Sequence, residues 1–351
     1  MISKLLYLLI PILGLAFGSI FQNPSQNSSS SQQNLKHISG HLSVINFGAP
    51  TSLSFAGEEV PLQNPQIKQK LDREIARNVK YYSGSLLTMK RANRYRDTFL
   101  KILRAKGVPE DFFYLAVAES NLANASSPVG AQGFWQFMEN TALEYGLEVS
   151  ATVDERYHPE KSTHAAASYL LASYRQFNNW ALVAAAYNMG GPGLQRTMEQ
   201  QTSDSYYGLK LNRETARYMY RILGFKCIID QPDRYGFTFE DKDLYQPIPY
   251  KVVKVSGNIK DLRTFAEQNG STYQILKNMN PWLISDHLEG KPGKIYEIRF
   301  PLRSEFHANE LLLQSSQGID SSEDEEVEQQ LNSGSQHKSE LNTELKDEPK
   351  S

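Results

Sequence analysis

The sequence predicts a mainly α-helical protein, with a helical domain over residues 66–240 and a small β-α-α-β domain over residues 248–302. Two patterns predict this fold class. In the first region apolar residues recur at the spacing of amphipathic helices, and Gly, Pro and Asn interrupt them. In the second region a strand-like segment, two short helical segments and another strand-like segment follow one another. With 351 residues, of which 40% are apolar, the chain can bury the cores of two domains.

The first 18 residues have the composition of an export signal. Lys4 precedes an apolar run from Leu5 to Phe17, and Ala16 and Gly18 have the spacing that signal peptidase recognises. The run is shorter than a comfortable membrane span, so we expect cleavage near Gly18 and an exported, periplasmic protein. Membrane association through an uncleaved N-terminal segment is the alternative.

Two polar segments flank the predicted domains. Residues 19–65 are rich in Ser, Gln and Asn and predict a flexible linker. Residues 315–351 predict a disordered acidic tail. From 320 to 351, ten acidic residues and three lysines give a charge of −7, which leaves +5 for the rest of a chain whose total is −2. A mildly basic body suits an anionic polymer such as a bacterial wall, but it is also ordinary for a soluble protein. We expect no nucleic-acid partner.

The helical domain contains six segments with helical periodicity: 67–82, 94–107, 109–120, 162–177, 180–188 and 213–229. Glu119 lies at the end of the third segment, where Phe112, Leu115, Ala116 and Glu119 share one face. Burial raises the pKa of a carboxyl, and a partly protonated Glu is what general-acid chemistry on a glycosidic oxygen requires. The alternative is a helix-end Glu that points to solvent or pairs with an arginine.

Three motifs resemble one known family. The "ES" of Glu119 and Ser120, "SSPVGAQGFWQFM" at 126–138 and "AYNMGG" at 186–191 are similar to the lytic transglycosylase domain of the soluble lytic murein transglycosylase type. The resemblance covers roughly residues 75–235. It implies a lysozyme-like helical fold, no cofactor, and cleavage of the β-1,4 bond between N-acetylmuramic acid and N-acetylglucosamine in the glycan strands of peptidoglycan.

The resemblance implies that Glu119 is a single catalytic acid and base. It would protonate the leaving oxygen and then take the proton of the muramic C6 hydroxyl, leaving a 1,6-anhydromuramyl end. An intramolecular hydroxyl attacks with an effective concentration that can reach about 10⁵ M, so no second carboxylate is needed. Two alternatives stay open: a non-catalytic peptidoglycan-binding scaffold, and a muramidase-type hydrolase of the same fold that uses a second acid. Candidates for that acid are Glu139, Glu144, Asp154 and Glu155.

The loop motif implies three substrate-binding residues. Ser127 matches a serine that contacts the substrate acetamide and the acid, or else it caps its own loop. Gln136 and Met138 match a Gln-x-Met pair at the sugar cleft, in which Gln136 donates a hydrogen bond and Met138 forms an apolar wall. Trp135 is expected to point the other way, into the core.

The later motifs add three further candidates. The resemblance implies that Tyr187 hydrogen-bonds or orients Glu119, and that Asn188 fixes its loop or binds sugar. Tyr218 matches the closing helix of the family, where it either lines the cleft or packs in the core.

No metal site is predicted. His158 and His164 are six residues apart, which is not the i, i+4 spacing of a helical zinc site. Cys227 is the single cysteine, so we expect it to be a small buried hydrophobic residue.

The C-terminal domain resembles a LysM domain, in "AEQNGSTYQILKNMNP", in its "IRFP" end and in its order of strands and helices. Ser271 and Gln274 predict a capping box, and Gly270 predicts the end of the preceding helix. The segment departs from the family at "SGNIKDL" and in a long loop from Trp282 to Lys294. The resemblance implies glycan binding, while the alternative is a structural module that packs on the helical domain.

Overall fold

The computed structural model describes residues 47–302, which lie in one compact unit. The predicted signal segment 1–18, the linker as far as residue 46 and the acidic tail 315–351 lie outside the described residues. Within 47–302, no helix is both long enough and apolar enough to cross a membrane.

The helical domain begins with a short hairpin and continues with eight α-helices over residues 65–230. All six predicted helical segments are present, and two short helices, α4 and α7, are additional. The elements are β1 (Ser54–Phe55), β2 (Glu58–Glu59), α1 (Pro65–Lys80), α2 (Tyr82–Lys106), α3 (Phe113–Ser120), α4 (Glu139–Glu144), α5 (Pro159–Phe177), α6 (Trp180–Met189), α7 (Gly191–Gln201) and α8 (Thr215–Asp230).

Local sequence explains where several helices begin. The side chain of Asn64 accepts the backbone N–H of Gln66 at the start of α1, and Asn179 accepts that of Leu182 at the start of α6. Such caps satisfy amide groups that have no partner within the helix. Pro65 occupies the first position of α1, where its missing N–H costs nothing.

A cluster of aromatic rings forms the centre of the helical domain. Trp135 is fully buried, stacks on Phe99 with ring centroids 5.9 Å apart, and donates its indole N–H to Thr163 Oγ1 at 3.0 Å. Phe134 packs edge-on against the same Phe99 ring. The core position predicted for Trp135 is therefore confirmed, and so is the burial of Cys227.

The structure differs from the predicted linker at its C-terminal end. Phe55 is 1% exposed and packs edge-on against Phe112, and the Glu58 carboxylate accepts the backbone N–H of Trp180 at 2.6 Å and that of Ala181 at 3.2 Å. Residues 47–62 are thus part of the helical domain. Composition alone predicted a linker here because the few buried apolar residues stand among polar ones, and the partner of Glu58 lies more than 120 residues away.

The C-terminal domain has the predicted β-α-α-β order, with β3 (Tyr250–Ser256), α9 (Leu262–Gln268), α10 (Tyr273–Met279) and β4 (Ile295–Pro301). The two strands pair antiparallel, with Val253 opposite Ile298. Alternate residues of β4 face inward, so that Tyr296, Ile298 and Phe300 are buried with Leu276. We call this domain the C-terminal module.

The predicted capping box of α10 is wrong by one residue. Thr272, in extended conformation, is the N-cap, and its hydroxyl accepts the backbone N–H of Ile275. Ser271 instead donates its own N–H to Ala266 O and so belongs to the C-terminal turn of α9. Gly270 ends that helix as predicted, with φ at +70°.

Candidate active site

Helix α3 presents Glu119 as its one partly exposed side chain. The other seven residues of α3 are buried, so the apolar face predicted from the periodicity is found. The next residue, Ser120, donates its hydroxyl to Phe134 O at 2.9 Å and accepts the backbone N–H of Leu122. Asn121 and Leu122 then have positive φ values of 49° and 54°. These contacts turn the chain sharply behind the carboxylate and start the segment that we call the site loop, residues 121–138.

Tyr218 of α8 donates its hydroxyl hydrogen bond to Glu119 Oε1. Burial raises the pKa of Tyr218 well above its ordinary value, and the charge of Glu119 and this hydrogen bond raise it further. The phenol therefore stays protonated and acts as a permanent donor to the carboxylate. Tyr218 is expected to line the cleft or to pack in the core; its ring is 2% exposed, and its hydroxyl contacts Glu119.

Tyr187 of α6 lies near the same carboxylate but donates to a different acceptor. Its hydroxyl bonds the backbone oxygen of Trp135 at 2.6 Å. Burial raises the pKa of Tyr187, and the charge of Glu119 adds to the increase. The sequence predicts that Tyr187 bonds or orients the acid, whereas in the structure the direct bond belongs to Tyr218. Tyr187 holds the site loop where it passes Glu119.

Gln136 is also bonded within the site loop. Its side-chain amide donates to Ala125 O at 2.9 Å and to Gly133 O at 2.8 Å, and its φ is +49°. A non-glycine residue in this region is strained and persists where the surroundings hold it. The donor capacity predicted to serve a sugar is used here to shape the loop.

Ser127 bonds within the site loop, and Met138 lies exposed at the end of that loop. The Ser127 hydroxyl accepts the backbone N–H of Ala131 at 2.9 Å, and its own N–H donates to Ala131 O at 2.8 Å. This geometry matches the loop-capping alternative. Met138 is 47% exposed at the end of the loop, so its side chain is accessible to a ligand.

Asn188 joins α6 to α8. Its side-chain amide donates to Glu214 Oε1 at 3.0 Å, and its oxygen accepts the hydroxyl of Thr215 at 2.8 Å. Asn188 is only 8% exposed, which fits the fixing role better than sugar binding. Because Tyr187 precedes Asn188 and Tyr218 follows Thr215, this bond network holds the two tyrosines together around Glu119.

The four candidates for a second carboxylate divide into two pairs. Asp154 forms a buried ion pair with Arg156 at 2.7 Å. Burial alone would raise the pKa of Glu155, but hydrogen bonds from Lys161 and Lys294 outweigh it and lower that pKa. Glu139 and Glu144 are exposed on α4.

One residue that sequence reasoning missed is Arg156. Its guanidinium donates to Gly130 O at 3.2 Å and to Phe137 O at 3.3 Å, and thereby closes the base of the site loop. No local pattern marks Arg156, since its partners lie 19 to 26 residues earlier in the chain.

Metal binding finds no support in the described part of the chain. Among residues 47–302, no group of three or more His, Cys, Asp and Glu side chains is placed to hold an ion. His158 is buried and lies 3.3 Å from Glu160, and burial lowers the pKa of His158.

Comparisons with known proteins place both domains. The family model for the transglycosylase SLT domain matches residues 97–208, and the model for the soluble lytic transglycosylase C-terminal LysM-like domain matches residues 251–304. The membrane-bound lytic murein transglycosylase D of Escherichia coli K12 is 27% identical over 240 residues, which is 62% of this chain and 52% of that protein. The same values hold for the enzyme of Escherichia coli O6:H1. The chain thus spans about half the length of the curated relatives it matches.

Two solved structures are also similar. An inactive variant of lytic transglycosylase Slt from Pseudomonas aeruginosa is 22% identical, with a TM-score of 0.34 over 44% of this chain and 26% of that one. The 70 kDa soluble lytic transglycosylase of Escherichia coli is 22% identical, with a TM-score of 0.35 over 44% of this chain and 27% of the other. The two family matches confirm the lysozyme-like helical domain and the LysM-like module predicted from the sequence. The chain therefore contains a region similar to the transglycosylase SLT domain and, at its C-terminal module, a region similar to the LysM-like domain of soluble lytic transglycosylases.

Proposed function

We propose that this protein is a peptidoglycan lytic transglycosylase in which Glu119 is the single acid and base. It cleaves the β-1,4 bond between N-acetylmuramic acid and N-acetylglucosamine and forms 1,6-anhydromuramyl ends. The observation that carries the proposal is the Glu119 carboxylate in an SLT domain, held by the hydroxyl of Tyr218 beside Tyr187. The relatives that match the chain are named as lytic murein transglycosylases.

The proposed reaction needs one carboxyl group in two protonation states. Protonated Glu119 gives its proton to the glycosidic oxygen while the bond from that oxygen to muramic C1 breaks. The resulting carboxylate accepts the proton of the C6 hydroxyl while O6 bonds to C1. Glu119 ends protonated again and no water is consumed. Because the attacking hydroxyl belongs to the same sugar, its high effective concentration replaces a base-activated water.

The two tyrosines support this cycle without taking part in proton transfer. Their raised pKa values keep both phenols neutral, so they donate hydrogen bonds and do not act as bases. Tyr218 stabilises the charged form of Glu119 and fixes its orientation. Tyr187 fixes the backbone at Trp135.

A single-acid mechanism is favoured over a hydrolase by the ion pairs of two candidates for the second acid. Asp154 and Glu155 are committed to ion pairs with Arg156, Lys161 and Lys294. A retaining hydrolase would need a second carboxyl group about 5 Å away, and an inverting one about 6.5 to 9.5 Å away.

The cell envelope is the proposed site of action. The relative named above is a membrane-bound murein transglycosylase, and the N-terminal 18 residues read as an export signal, so the proposal places the protein at the periplasmic wall. The glycan strands of peptidoglycan are the proposed partner. Met138 is the most exposed of the candidate substrate-binding residues.

Mass spectrometry of the soluble products of purified peptidoglycan tests the reaction. The protein is expected to release anhydromuropeptides, which are lighter by one water than hydrolysis products. Glu119→Gln should lower the rate at least about 10³-fold, because the amide can neither donate nor accept the required proton. Glu139→Gln, a change of the same chemistry at an exposed acid near the loop, is the matched control and should retain activity.

The other outcomes identify the competing functions. Hydrated muropeptides would mean a muramidase-type hydrolase, and loss of activity in Glu139→Gln would name its second carboxylate. An intact protein that sediments with peptidoglycan but releases no product would indicate a non-catalytic scaffold.

A further inference from the structure

A short segment of the helical domain lies between the site loop and the C-terminal module. We call residues 148–158 the junction segment. It includes a 3₁₀ turn at Glu155–Tyr157 and leads into α5. Val153 and Asp154 are 0% and 4% exposed, and Arg156 is 7% exposed. A burial this complete, in a segment with charged residues, means that both of its sides are covered.

The C-terminal module covers one side with its long loop. The backbone N–H of Asp154 donates to Trp282 O at 2.9 Å, and the N–H of Ile284 donates to Thr152 O at 3.1 Å. Val153 packs inside the apolar core of the module itself. The loop that departs from the LysM family in the sequence is therefore one of the parts of the module that dock on the helical domain.

A cluster of buried ion pairs also joins the C-terminal module to the junction segment. Lys294 Nζ lies 2.7 Å from Glu148 and 2.7 Å from Glu155, and each of these carboxylates is only 2% exposed in its side chain. The Tyr296 hydroxyl also donates to Glu148. Buried carboxylates are costly unless they are paired and hydrogen-bonded. Lys161 also pairs with Glu155, and Lys291 lies 3.6 Å from Glu148, but Lys294 is the cation that pairs with both carboxylates.

The site loop covers the other side of the junction segment. The Asn124 amide donates to Tyr157 O at 3.1 Å, and the Tyr157 hydroxyl donates to the side chain of Gln132. Gly133 packs so closely that an added Cβ would lie 2.0 Å from Arg156 O.

A direct series of hydrogen bonds connects the module to the loop. Trp282 O accepts the N–H of Asp154, the carboxylate of Asp154 holds the guanidinium of Arg156 at 2.7 Å, and Arg156 donates to the site loop at Gly130 O. The loop in turn passes Glu119, where Tyr187 bonds the backbone of Trp135.

We infer that the C-terminal module is a positioning element of the active site. By docking on the junction segment it holds Arg156, and through Arg156 the site loop, in the geometry that the chemistry at Glu119 requires. The effect on kinetics rests on the proposed function. The mechanical coupling, by which docking of the module holds the site loop in place, does not depend on that function. If the module served only as a tether to the wall, weakening its contact with the junction segment would leave the structure of the site loop unchanged.

The test uses the full chain with one substitution at each link. Lys294→Met keeps a long side chain but removes the charge that pairs with Glu148 and Glu155, and Lys294→Arg restores the charge. Arg156→Lys keeps a charge near Asp154 but loses the planar fork that reaches Gly130 and Phe137. Lys254→Met is the matched control, since Lys254 and its partner Glu297 are 67% and 56% exposed on the same module.

Hydrogen exchange measured by mass spectrometry reports the coupling. In Lys294→Met the amides of residues 124–137 should exchange at least about tenfold faster than in the original protein, together with those of the interface. In Arg156→Lys the amides of the site loop should exchange faster, while the amides of residues 282–294 stay protected. Lys294→Arg and Lys254→Met should match the original protein, and thermal unfolding checks that every variant is folded.

Kinetics on a short, soluble glycan without stem peptides or cross-links reports the effect on catalysis. Lys294→Met and Arg156→Lys should lower kcat about tenfold or more and change KM less than about threefold, because misplacement of a loop by about 1 Å can cost a hundredfold in rate. If the variants lose activity only on insoluble peptidoglycan, the module acts as a tether to the wall, and the inference is overturned.

The exchange experiment decides the coupling without reference to activity. If Lys294→Met exposes the interface but leaves residues 124–137 as protected as before, the module does not position the loop. If the original protein releases no product from peptidoglycan, the proposed function fails, and the exchange of residues 124–137 still supports or overturns the mechanical coupling.

Discussion

The hydroxyl of Tyr218 donates a hydrogen bond to the carboxylate of Glu119, although the two residues are 99 positions apart in the sequence. Helix α8 carries Tyr218 against α3, and Asn188 ties the start of α8 to the end of α6. The acid is therefore oriented by a helix that lies outside the matched SLT region, which ends at residue 208. Each of the following predictions tests one contact of this kind.

Tyr218→Phe should lower kcat/KM about 10- to 100-fold and leave the fold intact. The substitution removes one hydrogen bond to a charged group, which is worth about 1.5–3 kcal/mol, and about 1.4 kcal/mol corresponds to a factor of ten. Steady-state kinetics on soluble glycan measure the effect. Tyr220→Phe, two residues along the same helix, is the control and should stay near the original rate. Equal rates for both variants would mean that Tyr218 does not act on Glu119.

Gly133→Ala should destabilise the protein far more than Gly130→Ala. Both glycines have positive φ, at +77° and +86°, so both substitutions carry the strain of a left-handed residue. At Gly133 the new Cβ would also lie 2.0 Å from Arg156 O, whereas nothing lies within 4 Å at Gly130. We expect about 1 kcal/mol at Gly130 and at least about 3 kcal/mol at Gly133, measured by urea denaturation. Similar losses at the two sites would contradict the close packing of the loop on the junction segment.

Glu58→Ala should cost about 1–2 kcal/mol of unfolding free energy. Its carboxylate accepts the first N–H groups of α6, at Trp180 and Ala181, where a negative charge is also favoured by the helix dipole. The neighbouring Glu59→Ala removes the same group from an exposed position and should change stability by less than about 0.5 kcal/mol. Chemical denaturation of the two variants measures the difference. A small loss at Glu58 would show that residues 47–62 contribute little to the folded domain.

Acid should weaken the protein through Glu160. Burial alone would raise the pKa of Glu160, but the His158 imidazole, 3.3 Å away, and the charge of Arg299 outweigh it and lower the pKa to about 2. A lowered folded-state pKa stabilises the protein fully above the unfolded value of about 4.3, and the contribution is lost as the pH falls through 2. Glu160→Gln should therefore reduce stability at pH 7 and flatten the fall in Tm between about pH 5 and pH 2.

The control for the acid experiment is Glu267→Gln, at an exposed position of α9. It should reproduce the original dependence of Tm on pH. Because Arg299 lies in β4 and Glu160 in α5, at 2.8 Å, the same titration loosens the C-terminal module from the helical domain. An unchanged acid dependence in Glu160→Gln would assign it to other carboxylates, such as Glu155.

The sequence by itself determined most of the long elements and the candidate acid. Periodicity located six helical segments, two strand-like segments located the strands of the module, and three local motifs marked Glu119 and the site loop. These features can be predicted from the sequence because each depends on residues within one or two helical turns of each other. The same locality explains the error at Thr272, since two adjacent hydroxyl residues offer almost the same cap.

Only the tertiary structure decided which side chains meet. In the structure Tyr218 donates to Glu119, Tyr187 donates to the backbone of Trp135, and Gln136 bonds within its own loop. The structure also packs Phe55, Val60 and Leu62 into the core of the helical domain. It also placed Arg156 between the site loop and the C-terminal module. The physical reason is that a hydrogen bond or a buried ion pair depends on distance in space, and its partners here are separated by many residues of chain that carry no mark of the contact.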